Sequence, residues 1–301
     1  MKPDDLRSAM SPQSLQAANS VLTVIVEHPE FSRVFLSCIE LIERLRALNI
    51  PSGIMIQAEP GMGKSLLLQK IKMHMARSLG MSREETLLSV SLDSAVDTHR
   101  IASAMTLALG YPALPSRPGL DLMNQMIDSR LERKRPLALL IDEMQHVCEG
   151  NRDITARAVT DWLKVRMDRF NFPVIGAGTQ ALERLQVINP QFTSRASATF
   201  TLSPFEFGDP WRQLLASFAA QINEVDLAVI NGPLARALHN ATKGNIRALK
   251  RLLAYASIRA AERNSHKVTA DDFIKAYEDA KGASQDRINP FSPRIPMGKG
   301  T

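Results

Sequence analysis

Ala58-Glu59-Pro60-Gly61-Met62-Gly63-Lys64-Ser65 is the stretch that decides the fold. Gly53 to Ala58 (GIMIQA) reads as a strand before it. Ser65 to Leu79 reads as a helix after it, with Leu67, Ile71, Met75 and Leu79 on one stripe. A glycine-rich turn between a strand and a helix is what a phosphate-binding loop requires. The glycines let the chain curl so that successive N–H groups face one point, and the helix adds the positive end of its dipole. Lys64 would reach the β- and γ-phosphates of ATP, and the Ser65 hydroxyl would hold Mg2+. The candidate nucleotide-binding residues are Pro60, Gly61, Met62, Gly63, Lys64, Ser65 and Leu66. The usual pattern opens with glycine where this chain has Ala58, a mild departure.

Further along, Leu137-Ala138-Leu139-Leu140-Ile141 is an apolar run of the kind buried on both faces of a parallel sheet, and it delivers Asp142 and Glu143 at its end. Ligands of open α/β sheets bind at that carboxyl edge. Asp142 is expected to contact Mg2+ through water, and Glu143 to orient and polarise the attacking water. An acid after an apolar strand is common by itself. Following a phosphate loop, it becomes specific.

Outward from these two motifs, strands alternate with helices. Leu87 to Ser91, Val174 to Ala177 and Thr199 to Ser203 read as strands, with helices at Thr98 to Leu109, Leu120 to Arg133 and Ile154 to Phe170 between them. The pattern predicts a parallel five-stranded sheet flanked by helices. An amphipathic helix on Phe31, Val34, Phe35, Cys38, Ile42 and Leu45 leads into it. After Pro204 the strands stop, and four helical stretches follow, punctuated by Gly232-Pro233 and Lys243-Gly244. The division is therefore a flexible arm over residues 1–24, an α/β nucleotide-binding domain with its leading helix over 25–203, a helical lid over 204–281, and a tail over 282–301 expected to be disordered. The tail sets Ile288, Phe291 and Ile295 between prolines, a pattern that could fill a groove on another protein.

Composition narrows the class. Of 301 residues, 45% are hydrophobic and 23% charged, which suits a globular protein with a sizeable core. The N-terminus lacks a basic segment followed by an apolar run, and no stretch of about 18 apolar residues occurs. These features predict a cytoplasmic protein with no membrane partner. Cys38 and Cys148 form no metal spacing and no disulfide framework. The formal charge of +6 favours a polyanion, and 5% aromatic content argues against recognition by base stacking.

These motifs resemble those of AAA+ ATPases, and among them the TniB/TnsC-type regulators of DNA transposition. The resemblance spans about residues 25 to 280. Its elements are His28-Pro29, the phosphate loop, Asp142-Glu143 with His146, Gly176-Ala177-Gly178-Thr179, Ser194-Arg195, Leu202-Ser203-Pro204-Phe205 leading into Trp211, and Gly244-Asn245-Ile246-Arg247.

The resemblance implies further roles. Thr179 falls at the sensor-1 position, beside the water that attacks the γ-phosphate. Arg195 falls at the arginine finger, which acts on the ATP of the next subunit; Arg184 is its rival. Arg247 falls at the lid's sensor-2 position. His146 reads as a hydrogen-bonding neighbour of the site, and the run Arg130, Arg133, Lys134, Arg135 as a solvated helix end. The family's DNA contacts lie between the second and third strands, where Thr98, His99, Arg100 and Arg117 stand. The implied activity is ATP hydrolysis with Mg2+. The implied partners are duplex DNA gripped mainly by its backbone, further copies of the chain in a ring or filament, a transposase and a targeting adaptor. The rival reading is an AAA+ motor or loader unrelated to transposition.

Overall fold

The computed structural model describes residues 10–78, 87–94, 96–112, 118–150, 153–281 and 289–292. Contacts divide the chain into two compact units, residues 29–203 and residues 1–28 together with 204–301.

In the first unit, helix α2 (Pro29–Ala47) precedes β1 (Gly53–Ala58) and α3 (Lys64–Ser78). Then come β2 (Leu87–Ser91), α4 (Thr98–Ala108), α5 (Leu120–Arg133) and β3 (Ala138–Asp142). A 3-10 turn at Met144–Val147 leads to α6 (Asp153–Phe170) and β4 (Val174–Gly178). A second 3-10 turn (Gln180–Glu183), α7 (Arg184–Ile188) and α8 (Pro190–Thr193) connect to β5 (Ala196–Leu202). The five strands form one parallel sheet in the order β2-β3-β4-β1-β5, as the alternation predicted. The strands β1, β3 and β4 lie in the middle and are almost wholly buried, which is why they read as unbroken apolar runs. The edge strand β5 alternates half-buried and exposed residues. It begins at Ala196, earlier than the expected Thr199, because Ala196 and Ala198 pair with Gly53 and Ile54 of β1.

The sheet fits closely over its neighbours. A Cβ at Gly176 in β4 would come within 2.2 Å of the Met144 sulfur, so a side chain there would have to displace Met144. Both cysteines are buried and unpaired, and burial pushes their thiols up, Cys38 to about 12 and Cys148 to about 11, so neither is a ready thiolate.

The second unit holds α1 (Pro12–Thr23), α9 (Asp209–Gln221), α10 (Leu234–Thr242), α11 (Ile246–Glu262) and α12 (Ala270–Lys281). The flexible arm expected over residues 1–24 is thus corrected from Pro12 onward. Ser11 caps α1 by accepting the Ser14 N–H at 3.1 Å, and Pro12 stands where its missing N–H costs nothing. Ser14, Ala17, Ala18 and Val21 are buried as α1 packs along α11, and Lys250 of α11 donates to the Leu22 carbonyl at 2.8 Å. Phe205 is held by Gly244, its N–H donating to the Gly244 carbonyl at 3.0 Å. Gly244 has φ +74°, and a Cβ there would lie 2.0 Å from the Phe205 carbonyl oxygen. His28, buried against the Phe205 ring at 4.7 Å, has its pKa lowered by burial to about 4.

The disordered tail is corrected in part as well. Phe291 is buried and stacks on Phe273 of α12 at 5.4 Å, and the Asn289 amide donates to the Ile274 carbonyl at 3.0 Å. The one tail aromatic offered for a partner's groove is therefore already seated on its own helix. Ile288 and Ile295 lie outside the described residues. No helix among the described residues is long and apolar enough to cross a membrane.

Candidate active site

The phosphate loop turns between β1 and α3 on two glycines in the left-handed region, Gly61 at φ 90° and Gly63 at φ 92°. An L side chain would be strained at either. Ala58, where the usual pattern has glycine, is the last residue of β1 and pairs with Leu202. Its backbone is not in the positive-φ region, so alanine fits and the departure is harmless. Lys64 is buried, and its ammonium donates to the Ala58 carbonyl at 3.0 Å, which holds it across the loop it closes.

Asp142 ends β3 and Glu143 follows in the left-handed conformation, φ 54°. A non-glycine residue there costs about 1–2 kcal/mol. Part of the compensation is local, since the Asp142 carboxylate accepts the Glu143 N–H at 2.9 Å. Ser65 and Asp142 line one cavity of about 390 Å3, together with Gln69, Lys72, Ser89 and Ser91. A hydroxyl and a carboxylate facing one space are hard oxygen donors that suit Mg2+. Among the described residues no group of three His, Cys, Asp or Glu could cage a metal.

The strand order places Thr179 between these two corners. It follows β4, which separates β1 from β3, so the loop and the acidic pair stand two strand spacings apart, about 10 Å. The Thr179 hydroxyl accepts the Ala181 N–H at 3.3 Å and caps the 3-10 turn. Its backbone N–H donates to the side-chain oxygen of Gln145 at 3.3 Å. Gln145 is buried, and its amide nitrogen donates to the Glu143 carboxylate. Gln145 is the site residue that sequence reasoning missed. His146, the expected neighbour, is corrected: its ring contacts Glu149 at 2.8 Å instead. The left-handed turn at Glu143 followed by a 3-10 turn brings residue 145 inward and leaves 146 outside.

Arg195 stands at the other edge of the sheet. Its carbonyl accepts the Gly53 N–H at 2.9 Å, at the start of β1. The phosphate loop leaves the far end of that strand, five residues and about 17 Å away. Arg195 is thus not gathered with Lys64 and Glu143. Its guanidinium forms an ion pair with Asp168 of α6 at the surface. Arg184 begins α7 near the carboxyl edge, bonded to the Cys148 carbonyl at 2.5 Å and to Asp153 at 3.3 Å. Arg247 lies exposed in the first turn of α11, in the helical unit.

The expected DNA residues are less telling. Arg100 donates to the Ser94 carbonyl at 2.8 Å, His99 bonds the Pro118 carbonyl at 2.9 Å, and Arg117 lies outside the described residues. Arg130 and Lys134, with Lys72, line a cavity of about 580 Å3.

Comparison with known proteins gives both family and fold. The family described as bacterial TniB protein matches residues 22–206. No curated protein matches the sequence. Among solved structures, the Aeropyrum pernix ORC1 protein in complex with DNA aligns with TM-score 0.67 at 18% identity, covering 87% of this chain and 69% of that one. Cdc6p from Pyrobaculum aerophilum aligns with TM-score 0.65 at 14% identity, covering 87% and 70%. Domain III of the Thermotoga maritima replication initiation protein DnaA gives 0.54 at 15%, covering 90% and 98%. At these identities the likeness is one of fold, and the fold is that of AAA+ P-loop ATPases.

Proposed function

Because the chain belongs to the bacterial TniB family, we propose that it is an ATP-hydrolysing, DNA-binding regulator of transposition. In this reading subunits assemble on duplex DNA, recruit a transposase, and disassemble or remodel when ATP is hydrolysed. The observation that carries the nucleotide part is the convergence of Lys64, Ser65, Asp142 and Glu143 at the carboxyl edge of one parallel sheet.

Each residue then has a task. Lys64 exchanges the Ala58 carbonyl for the β- and γ-phosphates, a stronger charged partner. Ser65 and Asp142 would hold Mg2+, which would supply positive charge to the phosphates. Glu143 accepts a hydrogen bond from the attacking water and orients it in line with the γ-phosphate. Thr179 helps to place that water. Arg195 is too far from its own loop to serve it, so it acts on the ATP of a neighbouring copy. Arg247 reports the nucleotide from the lid. The Arg195 ion pair is no obstacle. Surface pairs contribute about 0–1 kcal/mol, whereas an arginine finger accelerates hydrolysis by about 10³–10⁵, or about 4–7 kcal/mol.

The DNA part draws support from the family, from the +6 charge and from the Aeropyrum pernix ORC1 structure, which contains DNA. Fluorescence anisotropy with a labelled duplex tests it. Binding should require ATP, show little sequence preference, and weaken by about 10³ or more between 50 and 200 mM salt if six or more phosphates are contacted. Equal binding with ATP and ADP, or no response to salt, would remove DNA from the reading. Capture of the cognate transposase by the DNA-bound chain, and not by Lys64→Ala, tests the recruitment step.

A further inference from the structure

We propose that Gln145 is a positioning residue for hydrolysis, tying the Glu143 carboxylate to the backbone that carries Thr179. The inference rests on the ATPase reading above and concerns the same site.

Gln145 spends both ends of its side chain on the two groups assigned to the attacking water. Its nitrogen donates to Glu143, and its oxygen accepts the Thr179 N–H at 3.3 Å. The orientation of the amide follows from its partners. A carboxylate only accepts and a backbone N–H only donates, so a flipped amide would set donor against donor and acceptor against acceptor.

The side chain also has little freedom to move. The residue is 4% exposed, and its backbone carbonyl is fixed by the Cys148 and Glu149 N–H groups, each at 2.9 Å. On the other side Gly178 leaves room for it. A Cβ at Gly178 would lie 2.7 Å from the Gln145 side-chain oxygen and 3.0 Å from its backbone nitrogen. The backbone of Gly178 has ordinary φ, so its lack of a side chain serves this close approach and not a turn. A buried amide placed for packing alone would be satisfied by any backbone partners. This one reaches across from the loop after β3 to the loop after β4, and each loop contributes a residue to the same water. A shift of a few tenths of an ångström in Glu143 would misalign that water, and catalysis is sensitive to errors of this size.

Steady-state ATPase kinetics and nucleotide binding of the full chain, with its DNA, test the assignment. Gln145→Met keeps the volume and loses both hydrogen bonds. It should lower kcat about tenfold or more, a share of the 10²–10⁴ that a positioned general base contributes. KM and ATP affinity should stay within about twofold, because the ground-state contacts of Lys64 and Ser65 are untouched. Gly178→Ala should reproduce this split by pushing the amide aside. The decisive measurement is the double variant. A residue that acts through Glu143 has nothing left to position once that carboxylate is gone, so Gln145→Met should cost nothing further in a Glu143→Gln background.

Two results would overturn the proposal: a rate that rises in Gln145→Met, which would make the amide a restraint, or a loss that is equal in both backgrounds or confined to Tm, which would make it structural. An unchanged rate in Glu143→Gln would remove the carboxylate that Gln145 is said to position and overturn the proposal with it, whereas absence of any ATP hydrolysis by the unaltered chain would instead defeat the ATPase reading.

Discussion

The two edges of the sheet are built differently. At the carboxyl edge Lys64 is buried, and Glu143, Gln145 and the Thr179 backbone are linked to one another by hydrogen bonds. At the amino edge Arg195 is half-exposed and paired with a single surface carboxylate, Asp168. The first edge is organised before any ligand arrives. The second holds its cation loosely, on a contact that a phosphate could replace at little cost. In the proposed reading, a site finished at one edge is supplied from the other edge of a second copy.

The sharpest way to break that contrast is Arg195→Ala. Hydrolysis should fall by about 10³ or more, with ATP binding retained. Mixing this variant with Lys64→Ala should restore activity, because hybrid interfaces join an intact Lys64 to an intact Arg195. A mixing titration that recovers nothing, with co-assembly demonstrated, would place Arg195 outside the neighbour's site.

Next in size is Glu143→Gln, which should bind ATP normally and turn over about 10²-fold more slowly. Its defect lies within one copy. Mixed with Lys64→Ala it should recover no activity, since each loop then lacks one of its own residues. Recovery would mean that the acidic corner also serves a neighbour.

The smallest effect belongs to Asp168→Ala. Stability should change by no more than about 1 kcal/mol in thermal melts. The ATPase rate should stay within about twofold, an estimate that follows from the same weak pairing. A loss as large as that of Arg195→Ala would mean that the ion pair itself, and not the freed guanidinium, is the working unit.

What the sequence disclosed follows from how local each signal is. The phosphate loop is one contiguous run after β1 and Asp142-Glu143 another at the end of the buried β3, so within each the spacing along the chain is the chemistry. Gln145 is hidden by backbone geometry. Nothing in Asp142-Glu143-Met144-Gln145-His146 announces a left-handed residue at Glu143, and the histidine is the more conspicuous neighbour. The early start of β5 is set by pairing with β1, since Ala196-Ser197-Ala198 has no strand preference of its own. The stacking of Phe291 on Phe273 joins segments whose relation is tertiary. The helix at Pro12–Thr23 was legible in principle from Ser11-Pro12, a cap followed by proline. Its buried face is mostly small, Ser14, Ala17 and Ala18 with one Val21, and a search for large apolar residues passes over it.

That same helix has a consequence for synthesis. α1 leaves the ribosome well before its partner α11, which begins on the order of 220 residues later, after the whole sheet has been made. At about 5–20 residues per second the wait is about 10–45 s. Through that interval the α1 segment lacks its main partner, and an isolated helix of its length is marginal in water. A small-residue face leaves little grease to draw other chains while it waits. Enlarging Ala17 or Ala18, both buried against α11, would overpack that contact as well as present a more apolar face during synthesis, and would lower the yield of folded protein.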